Sequence, residues 1–414
     1  LSRYVAALVR ARGPRVNTEQ EFQLALAHQQ AGRFPQARDL CLQILRQHPE
    51  HPPALHLLGT LARSAGRLDI AADLLGKAVR AAPDAAGPHY DLGVTRALQG
   101  DPAAAAACFE RALELQPGHA EALMGLGNLL LERGQADAAA DCYRRIVAAD
   151  PNAVMAYYNL GLACFRADRL DESADNYRRA LALKPDSAEA ALNLGITLSR
   201  QDKPDEAILF LRRAQAGLPG NPVAPYNLAL ALLNHGRPEE AEAYFRQALA
   251  LDPNYGEACL NLGNTLIRLG RLDEALGYCR KAVELRPDSA DARLTLGLAL
   301  HDQGRLDEAA ACYERAIALQ PGFAEAYSNL ANTRLDQGRL DEALRLCRKT
   351  IELAPDFAGG HYNLGLVLFG QHRLDEAEAS YRRAIALKPD YVEAHANLGT
   401  TLTYLGRTDA AMRS

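Results

Sequence analysis

At 414 residues the chain is longer than one hydrophobic core usually serves, so it either divides into domains or is assembled from repeats. Hydrophobic residues make up 48% and charged residues 23%, and the net charge of -5 gives no basic footprint of the kind nucleic acid or an anionic membrane surface requires. No run of 18 apolar residues occurs, so no membrane-spanning helix is expected.

The first stretch, residues 1–17, sets Arg3, Arg10, Arg12 and Arg15 among Leu1, Val5, Leu8 and Val9. It has neither the continuous apolar run nor the small-residue cleavage site of a secretory signal. It reads as the tail of an upstream helix or as a cap over the first repeat. The chain does not begin with Met, which suggests a fragment or a processed product.

From Thr18 the chain is periodic. Pro49, Pro83, Pro117, Pro151, Pro185, Pro219, Pro253, Pro287, Pro321, Pro355 and Pro389 follow one another at intervals of 34 residues without slippage. With proline placed at position 32 of the unit, eleven full units fill 18–391 and a truncated twelfth occupies 392–414.

Other positions share that phase. Position 8 is small, as in Ala25, Gly59, Gly127, Gly263 and Gly297, and position 20 is small too, as in Ala37, Ala105, Ser173 and Ala309. Glycine inside a helix costs about 1 kcal/mol relative to alanine, so its recurrence predicts close approach of two helices, small residue against small residue. Position 15 is glycine in most units, with Asp168, Asp202 and His372 as substitutes, and predicts a left-handed residue that ends the first helix, helix A. Phrases such as Arg271-Leu272-Asp273-Glu274-Ala275 then predict the start of helix B, with the aspartate satisfying free N–H groups and complementing the helix dipole. The closing proline stops helix B.

The spacing, the small residues at 8, 20 and 27, and the frequent Tyr or Phe at 24 resemble the tetratricopeptide repeat over residues 18–414. One departure is the missing tryptophan: position 4 holds Leu55, Tyr157, Cys259, Tyr327 or His361. The resemblance implies an all-α fold, a right-handed solenoid of antiparallel helix pairs whose A helices line a concave groove. A lone helix pair cannot bury its own apolar face, which independently requires stacking.

Nothing in the sequence signals chemistry. The eight cysteines, Cys41, Cys108, Cys142, Cys164, Cys259, Cys279, Cys312 and Cys347, fall on helix positions and form no CxxC pair, so neither a zinc site nor a redox motif is expected. They suit a reduced, cytoplasmic chain. His89, His361 and His395 share position 4, where they stand in for a packing residue, and no glycine-rich phosphate loop occurs. Neither a catalytic residue, a metal nor a cofactor is expected.

In the resembled family, binding uses positions 2, 5, 6, 9, 12 and 13 of helix A. Position 6 gives Asn159, Asn193, Asn227, Asn261, Thr295, Asn329, Asn363 and Asn397, preceded by Gln23, Leu57, Asp91 and Gly125. Asparagine offers a donor and an acceptor, so an evenly spaced row can pair with successive peptide groups of an extended chain; asparagine is also common there for packing alone. Position 2 carries Glu121, Glu189, Glu257, Asp291, Glu325 and Glu393, which suits basic ligands or simply the helix dipole. A basic clamp for a carboxylate terminus is not expected, because position 5 is Tyr158, Leu192, Tyr226, Leu260, Leu294 or Tyr362.

The unbroken array, the asparagine row and the phrase Tyr381-Arg382-Arg383-Ala384-Ile385-Ala386-Leu387-Lys388-Pro389 further resemble the N-terminal arm of bacterial SPINDLY-type O-linked N-acetylglucosaminyltransferases. Two functions are therefore expected. The first is a scaffold binding a protein or peptide, with homodimerisation left open. The second is the substrate-recognition arm of a larger glycosyltransferase, with Thr408-Asp409-Ala410-Ala411 opening a helix B that further sequence would cover.

Overall fold

The computed structural model describes residues 18–407; the expectations for 1–17 and for Thr408-Asp409-Ala410-Ala411 lie outside the described residues. The chain divides after Asp202 into two compact units. Among the described residues there are twenty-three α-helices and no strand.

In the first unit the A helices are Thr18–Gln30, Pro52–Ser64, Ala86–Leu98, Ala120–Glu132, Val154–Arg166 and Ala188–Arg200, and the B helices are Phe34–Gln47, Leu68–Ala81, Pro102–Leu115, Ala136–Ala149 and Leu170–Leu183. In the second unit the B helices are Pro204–Gly217, Pro238–Leu251, Leu272–Leu285, Leu306–Leu319, Leu340–Leu353 and Leu374–Leu387, and the A helices are Val223–Asn234, Gly256–Arg268, Ala290–Asp302, Ala324–Asp336, Ala358–Gly370 and Val392–Tyr404. Within each unit an A helix packs on its own B helix, and that B helix packs on the next A helix. Consecutive A helices also touch, as no two B helices do to the same extent, so the A helices form the inner layer of each unit.

The turns follow the expected backbone chemistry. Nine glycines, among them Gly32, Gly100, Gly270 and Gly406, have positive φ, and so do Asp168 (60°), Asp202 (57°) and His372 (62°) at the same position. The residue before each closing proline is extended, as at Ala82 (φ -140°, ψ 76°), because the proline ring disfavours the helical region there.

Two sequence expectations change. The position-8 glycine chiefly accommodates the side chain at position 24 of the same repeat. A Cβ on Gly297 would lie 2.5 Å from the Tyr313 ring, one on Gly127 would lie 2.7 Å from Tyr143, and one on Gly161 would lie 2.9 Å from Tyr177. The small residue at 20 still meets helix A, since Ser173 Oγ donates to the Gly161 carbonyl at 2.8 Å. Tyr143, Tyr177, Tyr313 and Tyr381 are fully buried by this arrangement. Burial of one such large side chain is worth roughly 1.5–3 kcal/mol, more than the glycine costs.

The aspartate of the Leu-Asp-Glu phrase does not cap helix B. The N-cap residue is Arg271, Arg305, Arg339 or Arg373, none of which makes a side-chain cap. The aspartate instead accepts a hydrogen bond from a glutamine 30 residues on, in the next repeat: Gln303 to Asp273 at 2.8 Å, Gln337 to Asp307 at 2.8 Å and Gln371 to Asp341 at 3.0 Å. The first unit repeats this rung in Gln99 to Asp69 (2.8 Å) and Gln201 to Asp171 (2.7 Å). Side-chain caps occur at some A helices, where Ser187 accepts from Ala190 N and Ser289 from Ala292 N.

Candidate functional site

The inner layer presents positions 5 and 6 of successive A helices side by side. All seven predicted asparagines are partly buried there. The amides of five of them, Asn159, Asn193, Asn261, Asn363 and Asn397, are tied to the preceding repeat by a pattern that one repeat alone does not reveal.

In the second unit Asn261 Nδ2 donates to Tyr226 Oη at 3.0 Å and to the Glu257 carbonyl at 3.0 Å. Asn363 donates to Ser328 Oγ at 3.0 Å, and Asn397 to Tyr362 Oη at 2.9 Å. Apart from the Glu257 carbonyl, each acceptor is position 5 of the preceding repeat, 35 residues earlier. Asn227 turns back to the Val223 carbonyl of its own helix at 2.8 Å. Asn329 follows a repeat with Leu294 at position 5, and its amide makes no side-chain hydrogen bond among the described residues.

The tyrosines are held rigidly. Tyr226 packs against Phe245 and Tyr255, with ring centroids 5.9 and 4.7 Å away, and Tyr362 against Tyr381 and Tyr391 at 6.0 and 4.9 Å. Burial, with the charge of Glu257 second, pushes the Tyr226 phenol up, and burial with Glu393 does the same to Tyr362. Each phenol therefore keeps its proton at neutral pH. While its oxygen accepts from asparagine, its O–H remains a donor, and the asparagine Oδ1 remains an acceptor.

In the first unit Asn193 donates to Tyr158 Oη at 2.9 Å, and Tyr158 packs on Tyr177 at 5.8 Å. Asn159 contacts Asn128 Oδ1 at 3.3 Å, an oxygen that also accepts from Tyr143 Oη at 2.7 Å. Nearer the start, position 6 is Asp91, bound by His56 Nε2 at 2.5 Å and Arg63 Nη1 at 2.7 Å. Burial alone would raise the Asp91 carboxyl, but the His56 hydrogen bond and the Arg63 charge outweigh it and hold the group below its ordinary value.

Other predicted residues find plainer places. His89 and His361 at position 4 hydrogen-bond the carbonyls of Pro83 and Pro355 at 3.0 and 2.9 Å, tying helix A to the preceding turn. Six cysteines are buried and two, Cys108 and Cys312, are half-buried. Among the position-2 acids Glu257 pairs with Arg286 at 3.1 Å, while burial and then the neighbouring charge of Asp291 raise the Glu325 carboxyl. No cluster of metal-binding side chains occurs among the described residues, and no described helix is long and apolar enough to cross a membrane.

Units built only of stacked antiparallel helix pairs, with side-chain rungs joining neighbours, define an α-helical repeat solenoid. A family model described as the cilia and flagella-associated protein 70 C-terminal domain matches residues 119–329, about half of the chain, and tetratricopeptide repeat models match residues 22–86, 86–119 and 322–390. The chain belongs to the tetratricopeptide-repeat family, whose fold is typical of protein-interaction scaffolds.

Among solved structures, the APC/C hetero-tetramer Cut9–Hcn1 is similar at 15% identity and a TM-score of 0.51, covering 93% of this chain and 90% of that one. A tetratricopeptide repeat protein from Parabacteroides merdae is similar at 20% identity and a TM-score of 0.51, over 60% of this chain and 98% of that one. YrrB, described as a TPR protein with an unusual peptide-binding site, is 26% identical over 48% of this chain and 99% of its own, with a TM-score of 0.41. No curated protein matches the chain.

Proposed function

We propose that the inner A-helix face of each unit binds extended polypeptide segments through their backbone. The observation that carries this reading is the pairing of a position-5 tyrosine with the position-6 asparagine of the next repeat, as in Tyr226 with Asn261 and Tyr362 with Asn397. Each pair offers a phenol O–H as donor beside an amide oxygen as acceptor, the complement of a peptide group. Because the amide N–H is fixed by the phenol, the acceptor is oriented before ligand arrives, which lowers the entropy cost of binding. The position-2 carboxylates Asp291 and Glu325 favour a segment carrying basic side chains.

The test is fluorescence anisotropy of the full chain with a labelled Lys/Ala/Ser decapeptide, alongside the same peptide with a methylated backbone. Changing Asn261, Asn363 and Asn397 together to Ala should weaken binding at least tenfold while far-UV circular dichroism stays the same, and backbone methylation should do likewise. Equal affinity for the variant would sink the proposal. A second reading, the substrate arm of an O-linked N-acetylglucosaminyltransferase, is favoured by the unbroken array, the asparagine row and the phrase from Tyr381 to Pro389 together; reading the gene past Ser414 tests it.

A further inference from the structure

On the B-helix side, some later repeats are joined by an ion-pair rung. Position 25 of one repeat is arginine and position 19 of the next is glutamate: Arg144 with Glu172 at 2.8 Å in the first unit, and Arg246 with Glu274 at 2.7 Å and Arg212 with Glu240 at 3.6 Å in the second. The same glutamate also receives the arginine at position 16 of its own repeat, as in Arg169 with Glu172 at 3.7 Å and Arg271 with Glu274 at 2.6 Å.

At the seam of the first two repeats those three positions are Leu42, Ile70 and Arg67. The arginine at position 25 and the glutamate at 19 have both become aliphatic, and only the second arginine is kept. Leu42 and Ile70 are 40% and 47% exposed, beside Phe34 at 53%. With Leu61 and Leu74 they line an apolar pocket of about 420 Å³, with Arg67 among its walls. That volume lies in the range of about 300–1,000 Å³ common to ligand sites. Arg67 lacks the carboxylate its counterparts have, and its guanidinium makes neither a hydrogen bond nor an ion pair among the described residues.

We propose that this seam docks a short apolar and acidic segment of another polypeptide, an aliphatic or aromatic side chain entering the pocket and a flanking carboxylate meeting Arg67. Charge identifies the occupant. The missing rung leaves a cation without its anion beside exposed apolar surface, and a segment bringing both replaces what Glu172 and Arg144 do elsewhere. Residues 1–17 of this chain carry four arginines and no carboxylate side chain, so they add positive charge where a negative one is wanted.

The experiment uses the full chain, a fluorescein-labelled octapeptide Glu-Leu-Leu-Glu-Asp-Phe-Leu-Glu, and a control with every carboxylate residue replaced by lysine. The key variant combines Leu42→Arg with Ile70→Glu, which rebuilds a rung the chain already uses at Arg144 and Glu172 and is expected to fold normally. The acidic peptide should bind wild type at least tenfold tighter than the lysine peptide. Rebuilding the rung, or changing Arg67→Ala, should weaken that binding at least tenfold, while the Asn261, Asn363 and Asn397 alanine variant should retain it. Unchanged binding by the rebuilt variant, or equal binding of the lysine peptide, overturns the proposal. So does sedimentation showing a wild-type dimer that the rebuilt rung dissociates, which makes a second copy the occupant. Faster tryptic cleavage after Arg10 or Arg12 in the rebuilt variant overturns it too, in favour of the chain's own first residues.

Discussion

Replacing Gly297 with alanine places a Cβ 2.5 Å from Cε1 and 2.9 Å from Cδ1 of Tyr313, a ring that is 1% exposed and has nowhere to retreat. Overpacking of this kind costs about 1–3 kcal/mol, against about 1 kcal/mol gained in helix propensity, so Gly297→Ala should destabilise the ninth repeat by up to about 2 kcal/mol. The repeats offer a partial precedent: alanine stands at position 8 opposite cysteine in Ala25 with Cys41 and Ala331 with Cys347, and all four buried tyrosines at position 24 face glycine, although Phe245 faces Ala229 and Cys279 faces Gly263. In a Tyr313→Cys background the same Gly297→Ala change should therefore become neutral or stabilising by up to about 1 kcal/mol, a reversal of sign that measures the coupling directly. Because a repeat array need not unfold in two states, the measurement is native-state hydrogen exchange of the helices Ala290–Asp302 and Leu306–Leu319 in all four proteins. An equal effect of Gly297→Ala in both backgrounds refutes the ring-over-glycine account.

Three further outcomes are expected. His372 occupies the left-handed region at φ 62°, so His372→Gly should stabilise the array by about 1 kcal/mol, seen as a rise in urea midpoint; Asp168→Gly should gain less, since it also loses the exposed ion pair to Arg200 at 2.7 Å. Asp91 has a folded-state pKa below its ordinary 3.8, so its contribution is present above that value and lost as pH falls through the lowered one; the stability gap between wild type and Asp91→Asn should be open at pH 7 and shrink under strong acid. Burial pushes the Cys41, Cys279 and Cys347 thiols up to about 12, so iodoacetamide at pH 8 should label the half-buried Cys108 and Cys312 first, as read by peptide mass spectrometry; early labelling of Cys279 contradicts the packing.

The features legible in the sequence were those set by one residue's own backbone. Positive φ at Gly270 or Asp202 follows from the absence of a tolerable alternative at that turn, and the extended residue before Pro83 follows from its ring. Misread features depend on a partner a repeat away. Asp273 has the composition of a capping residue, but the cap position is one the arginine occupies, and the glutamine that takes its carboxylate is 30 residues further on. Likewise the asparagine row was visible, whereas its tie to position 5 of the preceding repeat was not, since Asn261 and Asn329 look alike until Tyr226 and Leu294 are set beside them. The aliphatic rung of Leu42 and Ile70 was open to reading, by aligning positions 25 and 19 across the units, but its meaning required knowing that these two positions meet.

The glutamine–aspartate rungs carry a consequence for how such a chain is inherited. Each joins residues 30 apart, and the tyrosine–asparagine ties join residues 35 apart, so partners always sit in adjoining repeats. Duplicating the unit 290–323, which carries both Gln303 and Asp307, would reproduce the rung at the new seam, whereas a unit with Ala167 or Leu269 in the glutamine's place would not. The seam between the first two repeats breaks that interchangeability. A crossover that set Leu42 against Glu172, or Arg144 against Ile70, would strand a charge beside an aliphatic side chain. Exchange is thus free only between repeats whose seam residues match, and Glu110 beside Ala138 or Glu314 beside Glu342 limits it as Leu42 beside Ile70 does.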